Sequence, residues 1–344
     1  MSTTVSRARL IVACLAAALV MGRAAAQVIP LPPTDTLGIS MEGYPYPFPV
    51  QFLDLVNDGQ DVRMAYMDVA PTGQANGKTI FLLHGKNFFG AYWREPIEKL
   101  TAAGYRVVVP DQIGFGKSSK PELNYSFDLL ASNTLALADK LKIEKFAVLG
   151  HSMGGMLAVR MARAYPNRVA RLILENPIGL EDYQQWVPSA TTESRYRSEL
   201  KQTSEAFGKY VAGYYVKKNN DWIEPFIKIK EAISKSAEYP RWAMSAALTT
   251  QMILQQPTVY DLPHITAPAL LIIGQEDRTA VGKAQASPED QKKLGNYPEL
   301  GRRTAKALKN AKLVEIPNVG HIPHFEAPTA FYNALLPFLE EWKE

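Results

Sequence analysis

The chain has 344 residues, of which 47% are hydrophobic and 21% are charged, a composition typical of a globular protein rather than of a disordered or fibrous one. Its formal net charge at pH 7 is only +4, so the charge balance gives no indication of a nucleic-acid partner. The single cysteine, Cys14, excludes a scaffold held by disulfides within the chain.

The first 26 residues have the pattern of a secretory signal peptide. Arg7 and Arg9 precede an apolar segment, and three alanines at residues 24–26 precede Gln27. The apolar run is interrupted at Gly22 and falls short of the ~20 residues that a membrane span needs, which argues against a retained anchor. We therefore expect cleavage near Gln27 and a periplasmic or secreted mature protein, without cysteine and without stable membrane insertion.

Residues 27–49 contain the proline-rich stretches IPLPPTDTLG and YPYPFP, and proline opposes both helix and sheet hydrogen bonding. This segment is predicted to be an extended lead-in. The next segments, VQFLDL and VRMAYMDV, flank the turn-rich stretch VNDGQD, which predicts a β-hairpin.

From residue 79 the chain alternates short apolar runs with helix-length segments. Apolar runs without alternation are typical of strands that helices bury on both faces. The repeated strand-helix order predicts an α/β fold with a mostly parallel sheet. The strand candidates are TIFLLHG, RVVVPD, KFAVLGHS, RLILENP, PALLIIGQED and KLVEIPNVGH, and the helix candidates are residues 93–103, 127–142, 153–165 and 328–342.

The alternation stops between residues 180 and 262, where only amphipathic stretches such as SRYRSELKQT, EPFIKIKEAIS and YPRWAMSAALTTQMILQ occur. These residues are predicted to form a helical cap over the carboxyl edge of a core made of residues 50–179 and 263–344. Tyr183 and Trp186 directly follow the sixth strand, so we expect them to bind substrate. Trp222 and Trp242 lie within helical patterns and are expected to pack the core of the cap.

Ser152 lies between the strand KFAVLG and a helix, within the stretch GHSMGG. Gly150 and Gly154 allow a sharp turn and close approach of the neighbouring elements, which would lift the serine hydroxyl to the top of the sheet. A serine between glycines is common in turns, but the strand-turn-helix context favours a nucleophile.

A serine nucleophile needs a histidine base and a carboxylate that orients it. Asp277 ends the strand candidate PALLIIGQED, and His321 follows the next one, which gives the chain order Ser, Asp, His. Glu276 and Glu175 are the rival acids. Glu276 is one residue earlier and would point elsewhere, whereas Glu175 ends the preceding strand.

These motifs resemble the α/β-hydrolase fold superfamily, in its branch with a helical cap and a serine nucleophile, which includes esterases, enol-lactonases and C–C hydrolases. The resemblance implies a mostly parallel central sheet flanked by helices and a Ser-His-Asp triad, but it says little about the substrate. It covers residues 50–180 and 263–344 and rests on LLHG at 82–85, DQIGFGKS at 111–118, GHSMGG at 150–155, GQEDRTA at 274–280 and GHIPHFEAP at 320–328.

In that superfamily, backbone N–H groups after the nucleophile and after the His-Gly strand form an oxyanion hole. Carried over, these belong to Met153 and Lys86, with Asn87 as the alternative to Lys86. Relatives usually have small or apolar residues after His-Gly, so Lys86 departs from the pattern. Its side chain is expected either to extend into solvent or to contact an anionic substrate.

The other histidines have structural interpretations. His84 is expected to support the oxyanion loop, His324 to pack beside the triad base and His264 to lie on the surface. No group of histidines, cysteines and carboxylates has metal-ligand spacing, so neither a metal nor another cofactor is implied.

The resemblance implies an exported serine hydrolase that cleaves a small-molecule ester or lactone through an acyl-enzyme. A serine at position 152 argues against haloalkane dehalogenases and epoxide hydrolases, which use aspartate there. C–C bond hydrolases of ring-cleavage products remain an alternative, although they often have asparagine where His151 stands. A receptor-like member with little turnover is the alternative outside enzymes, and the oligomeric state is left open.

Overall fold

The computed structural model describes residues 29–215 and 222–343, and it contains the predicted α/β architecture. A single eight-stranded sheet has the order β1-β2-β4-β3-β5-β6-β7-β8. The strands are β1 (Val50–Asn57), β2 (Gln60–Val69), β3 (Thr79–Leu83), β4 (Arg106–Pro110), β5 (Phe146–His151), β6 (Val169–Glu175), β7 (Ala269–Gly274) and β8 (Ala311–Ile316).

The first two strands form the predicted hairpin, with Asn57 paired to Gln60 across the turn. Strand β2 is also antiparallel to β4, whereas every later pair from β3 to β8 is parallel. Parallel strands place all their carboxyl ends at the same edge, so the side chains that follow β3, β5, β6, β7 and β8 can meet there.

Helices cover both faces of the sheet, as the continuous apolar strands require. In β3, Phe81 and Leu83 pack into one core while Ile80 and Leu82 pack into the other, because successive side chains of a strand point to opposite faces. The helices are α1 (Arg94–Ala102), α2 (Phe127–Lys140), α3 (Met153–Ala164), α4 (Thr192–Lys201), α5 (Ser204–Tyr215), α6 (Glu224–Ser234), α7 (Tyr239–Gln255), α8 (Pro288–Lys293), α9 (Tyr297–Ala307), α10 (Pro323–Glu326) and α11 (Pro328–Glu340).

Helices α4 to α7 occupy the segment between β6 and β7, where the sequence predicted a helical insertion. Helix α4 packs against α7, and α5 packs against α6. Helices α5 and α9 were not predicted from the sequence as separate helices. Gly208 interrupts the apolar pattern of α5. Helix α9 is amphipathic and buries Tyr297, Leu300 and Thr304 on one face, a helical period that the sequence-based prediction overlooked.

Residues 29–49 pack against the rest of the protein as an ordered lead-in. The Leu37 N–H donates to the Ala232 carbonyl at 3.0 Å, and the Tyr46 hydroxyl donates to Asp111 Oδ2 at 2.5 Å. The predicted signal peptide lies outside the described residues. Within the described part of the chain, no helix is long and apolar enough to cross a membrane.

Candidate active site

Ser152 stands at a sharp turn between β5 and α3 and has a φ of +54°, in the left-handed region that L residues rarely adopt. The turn requires glycine on both sides. A Cβ on Gly150 would lie 2.2 Å from the Gly154 carbonyl oxygen, and one on Gly154 would lie 2.1 Å from the Leu83 carbonyl oxygen. Because both obstacles are backbone atoms, larger residues would displace the turn.

Backbone hydrogen bonds hold Ser152 at the carboxyl edge of the sheet. Its N–H donates to the Glu175 carbonyl at 3.2 Å, and its carbonyl accepts from the N–H groups of Gly155 at 2.9 Å and Ile178 at 3.2 Å. Helix α3 begins at Met153, so the Met153 N–H belongs to the first turn, whose donors have no acceptor within the helix. Such a donor is suited to bind an anion that develops at Ser152.

His321 and Asp277 are in contact at the same edge. The Asp277 carboxylate Oδ2 lies 2.7 Å from His321 Nδ1, and neither side chain is exposed. The carboxylate can only accept here, so Nδ1 carries the proton of a neutral imidazole and Nε2 is the basic nitrogen. The structure thus brings together the two residues that the sequence predicted as base and orienting acid.

Two further groups fix the Asp277 carboxylate. Asn176 Nδ2 donates to Oδ2 at 2.8 Å, and the Thr279 N–H donates to Oδ1 at 2.8 Å. Asn176 also accepts from the Gly274 N–H at 2.8 Å, so it ties β6 to β7. Asn176 was not among the predicted site residues, although its position immediately after Glu175, at the end of β6, was a signal in the sequence that could have identified it.

The rival acid Glu175 pairs with a different histidine. Its Oε1 lies 2.8 Å from His324 Nδ1 and also accepts the His324 N–H at 2.8 Å, in a fully buried pair. His324 stacks on Trp93 with 4.6 Å between the ring centroids. His324 therefore belongs to a separate buried pair, rather than serving only to pack beside His321.

A chain of hydrogen bonds connects the loop after β3 to the backbone of His321. The Gly85 N–H donates to the Tyr92 hydroxyl at 3.2 Å, and that hydroxyl lies 3.0 Å from His151 Nδ1. His151 Nε2 lies 3.0 Å from the His321 carbonyl, which can only accept, so Nε2 carries the proton and Nδ1 accepts from tyrosine. Burial holds the pKa of His151 well below its ordinary value, so it stays neutral.

His84 supports the same loop, as predicted. Its Nε2 accepts from the Gln112 N–H at 3.1 Å, which leaves Nδ1 to donate to the Gly85 carbonyl at 3.0 Å. Burial lowers the pKa of His84, which favours this neutral form. His264 is exposed, also as expected.

Lys86 lies in the turn that the Phe88 N–H closes by donating to the Gly85 carbonyl at 3.1 Å. Both Lys86 and Asn87 line the same cavity as Ser152. The Lys86 side chain does not extend into solvent, because Nζ donates to the Ala246 carbonyl of α7 at 3.0 Å. Burial lowers the pKa of Lys86.

The cavity that contains Ser152 has a volume of about 430 Å³. Its wall includes the lead-in, the turn after β3, helices α4 to α7 and the loop after β7, so the insertion does cover this edge of the sheet. Trp242 lines the cavity, which corrects the expectation that it only packs the core of the insertion.

The predicted substrate contacts Tyr183 and Trp186 do not line this cavity, and that prediction is wrong. Tyr183 is only 3% exposed and packs in the apolar core, where its hydroxyl accepts from the Gly179 N–H at 3.1 Å. Trp186 lines a separate polar groove and has the Lys293 ammonium 5.2 Å from its ring centroid. After β6 the chain packs against α9, where the Tyr297 hydroxyl donates to the Pro177 carbonyl and Arg303 donates to the Leu180 carbonyl, each at 3.0 Å.

Trp222 also departs from the expected packing, since it stacks on Phe325 outside the insertion with 4.7 Å between the ring centroids. Among residues 29–215 and 222–343, no cluster of histidine and carboxylate side chains is arranged to hold a metal ion.

Comparison with known proteins gives consistent matches over most of the chain. The family model for the alpha/beta hydrolase fold matches residues 78–328. A probable hydrolytic enzyme from Pseudomonas aeruginosa is similar in structure, with a TM-score of 0.86, 43% identity and coverage of 88% of this chain and 98% of that one.

Two curated relatives match in sequence. An AB hydrolase superfamily protein of Bacillus subtilis is 27% identical over 293 residues, which cover 80% of this chain and 94% of that protein. A 2-hydroxy-6-oxononadienedioate/2-hydroxy-6-oxononatrienedioate hydrolase of Dechloromonas aromatica is 28% identical over 298 residues, which cover 84% and 94% respectively.

Proposed function

The chain belongs to the alpha/beta hydrolase fold family, and we propose that it is a serine hydrolase that cleaves a carboxylic ester or a lactone through an acyl-enzyme. The observation that carries this proposal is the contact of 2.7 Å between His321 Nδ1 and Asp277 Oδ2, which lies at the same sheet edge as Ser152, a residue that lines the cavity. The similarity to a probable hydrolytic enzyme over 88% of the chain supports hydrolytic chemistry.

In the acylation step, Ser152 Oγ attacks the substrate carbonyl carbon while His321 Nε2 takes its proton. The N–H groups of Met153 and Lys86 bind the oxyanion that forms, with Asn87 as the alternative second donor. Each such donor contributes roughly 3 kcal/mol of transition-state stabilisation. The carbon–oxygen bond to the alcohol then breaks, and His321 returns the proton to the departing oxygen.

Water completes the reaction. His321 Nε2 takes a proton from water as the water oxygen adds to the acyl carbon, and the Ser152 oxygen leaves with that proton. Asp277 stabilises the imidazolium that forms in each step, and Asn176 with the Thr279 N–H fixes the carboxylate orientation.

Hydrolysis of p-nitrophenyl acetate tests the proposal against a receptor-like protein with little turnover. Ser152→Ala should lower kcat by several orders of magnitude, because triad residues act as a unit. Ser198→Ala is the matched control, since Ser198 lines the same cavity on α4 but is exposed. Activity that persists in Ser152→Ala would contradict the proposed nucleophile, and no activity in the unaltered protein toward any ester or lactone would contradict the function.

C–C bond hydrolysis of a ring-cleavage product is a second candidate. It is favoured by the similarity to the Dechloromonas aromatica hydrolase over 84% of this chain. Loss of the dienoate absorbance of a 2-hydroxy-6-oxo dienoate, measured beside the ester and lactone assays, would distinguish the two. A kcat/KM for the dienoate that exceeds those for esters and lactones would replace the first proposal.

Export is part of the proposed function and is supported by the signal-peptide pattern of residues 1–26. Fractionation of cells that express the full chain, followed by mass measurement of the purified protein, tests it. A mature protein that begins near Gln27 outside the cytoplasm is expected, and full-length protein in the cytoplasm would contradict export.

A further inference from the structure

The wall of the Ser152 cavity carries an excess of basic side chains. Among its described lining residues are Lys86, Arg195, Lys230 and Lys283, with Glu199 as the one carboxylate. Charged groups are expensive to remove from water unless they are paired. A cavity whose wall has more basic than acidic side chains is therefore suited to a ligand that carries negative charge.

Lys230 of α6 is the most deeply buried of these cations, with 6% of its side chain exposed. Its ammonium donates to the Tyr239 hydroxyl at 3.1 Å and lies 3.8 Å from the centroid of the Trp242 ring. The Glu199 carboxylate is 3.9 Å away, at the limit of an ion pair. Burial lowers the pKa of Lys230 to about 8, with the neighbouring Lys86 as a further cause.

Lys86 has neutral oxygens as its hydrogen-bond partners. Nζ donates to the Ala246 carbonyl at 3.0 Å and to Thr249 Oγ1 at 3.4 Å, both on α7. The negative charge of Glu199 interacts electrostatically with both Lys86 and Lys230 and raises the pKa of each. One carboxylate thus faces two buried ammonium groups.

Arg195 lies one turn before Glu199 on the same face of α4, because residues four apart in a helix are neighbours. Its Nε is buried and has no hydrogen-bond partner in the described part of the chain. Burial lowers the pKa of the guanidinium, which nevertheless remains charged at neutral pH. The planar N–H fork of arginine matches the geometry of a carboxylate.

Lys283 is different, because the carboxylates of Glu181 and Asp277 act on its charge, and its ammonium also donates to the carbonyls of Leu294 at 2.7 Å and Arg278 at 3.3 Å. These contacts are in the loop after β7, so Lys283 has a structural use. The excess positive charge comes from Lys86 and Lys230, which share the carboxylate of Glu199, and from Arg195, whose Nε has no hydrogen-bond partner among the described residues.

From the proposed hydrolase function and this arrangement, we infer that the enzyme selects substrates that carry a carboxylate besides the scissile ester or lactone, and that Lys230, Arg195 and Lys86 form the subsite that binds it. The carboxylate supplies the negative charge that Glu199 alone does not. A neutral substrate of the same size would leave the three cations uncompensated in a cavity from which it displaces water.

Matched esters test the inference directly. Mono-4-nitrophenyl glutarate and 4-nitrophenyl valerate have acyl chains of equal length, and 4-acetoxybenzoate and 4-acetoxybenzamide differ in charge on the alcohol side. In at least one pair, kcat/KM should be higher for the carboxylate by about tenfold or more, the effect of one charge-assisted hydrogen bond. Ser152-dependent turnover that favours the neutral ester in both pairs would overturn the inference while the proposed function stands.

Charge-removing variants locate the subsite. Lys230→Met and Arg195→Met should each lower the carboxylate-to-neutral ratio of kcat/KM by about tenfold. The matched controls are Lys228→Met on α6 and Arg197→Met on α4, both exposed residues that should leave the ratio unchanged. Equal ratios in all four variants would overturn the assignment of the subsite. Using two test variants on different helices keeps the result informative if one of them folds poorly.

Calorimetric binding of glutarate to Ser152→Ala gives a readout that does not depend on turnover. We expect binding that weakens about tenfold when Lys230→Met is added and that weakens with salt. Binding that is absent, or that is equal with and without Lys230→Met, would overturn the inference even if no ester substrate were found.

Discussion

Glu175 ends β6 and Asp277 follows the end of the neighbouring strand β7, and the hydrogen bonds around them assign each to a different histidine. Asp277 contacts His321 at 2.7 Å, whereas Glu175 contacts His324 at 2.8 Å. Both pairs are fully buried. Chain order alone therefore does not decide which carboxylate can serve as the acid, because this depends on which histidine each one contacts in the folded chain.

The two acids should respond differently to amide substitution. Asp277→Asn should hold His321 in the wrong tautomer and lower kcat by about 10⁴-fold. Glu175→Gln should mainly lower the melting temperature, because it weakens the buried contact with His324, and should lower kcat far less. Steady-state kinetics and thermal unfolding of both variants check this, and an inactive but folded Glu175→Gln beside a normal Asp277→Asn would reverse the assignment.

The buried Lys230 predicts an unusual dependence of stability on pH. Its pKa is lowered by burial from 10.5 to about 8, so between these two pH values the unfolded chain binds more protons than the folded one. The free energy of unfolding should therefore rise as the pH increases from about 8 to 10.5, and Lys230 should account for up to roughly 3 kcal/mol of that rise. Below pH 8, Lys230 is charged in the folded protein, so the full cost of burying its ammonium group lowers the stability of the fold.

Urea unfolding of the unaltered protein and of Lys230→Met at pH 7.5 and pH 10 checks this. Lys230→Met should be at least as stable as the unaltered protein at pH 7.5, with the difference shrinking at pH 10. A variant that is less stable at pH 7.5 would show that Lys230 stabilises the fold, and would remove this support for a ligand-binding role.

At the scale of elements, helices α4 to α7 all carry side chains that line the cavity. Helix α7 presents Tyr239, Trp242, Ala246 and Thr249 on one face, each in contact with Lys86 or Lys230. The short helical turn with Tyr183 contributes to the core instead. Specificity should therefore depend on the later helices of the insertion and not on its first residues.

Trp242→Phe should change the relative kcat/KM across a series of acyl lengths, because Trp242 lines the cavity and faces Lys230. Trp186→Phe is the matched control and should leave the series unchanged, since Trp186 lies in a separate groove. The series is measured with 4-nitrophenyl esters. Equal effects of the two variants would contradict this description of the cavity.

At the scale of the whole molecule, the proline-rich lead-in connects the core to the insertion. Tyr46 donates to Asp111 after β4, and Leu37 donates to Ala232 in α6. Ile39 and Met41 line the Ser152 cavity between these two anchors. The lead-in is thus part of the wall that a substrate would contact.

Removal of residues 29–49 should lower both the melting temperature and kcat/KM, because the deletion exposes Phe89 and opens the cavity. Leu31→Ala is a suitable control, since Leu31 is 59% exposed and should leave both quantities unchanged. Differential scanning fluorimetry and ester kinetics measure the outcome. A truncated protein that keeps its activity and melting temperature would contradict this role of the lead-in.

The sequence by itself determined the sheet, the insertion and the sheet edge at which His321 meets a carboxylate, whereas the structure decided between Asp277 and Glu175. Buried parallel strands leave continuous apolar runs, and their carboxyl ends share one edge, so residues after those runs converge whatever the details of packing. The catalytic roles of Ser152, Asp277 and His321 stay predictions that the proposed experiments test.

Only the tertiary structure decided which residues of the insertion and the lead-in reach the cavity. A helical period shows which face is apolar, but it does not show against which edge or neighbour that face packs. Tyr183 is close to a strand end in sequence, yet the direction in which the chain leaves β6 takes it into the core. Lys86, Arg195 and Lys230 come from three distant elements, and their convergence depends on how those elements pack around α7.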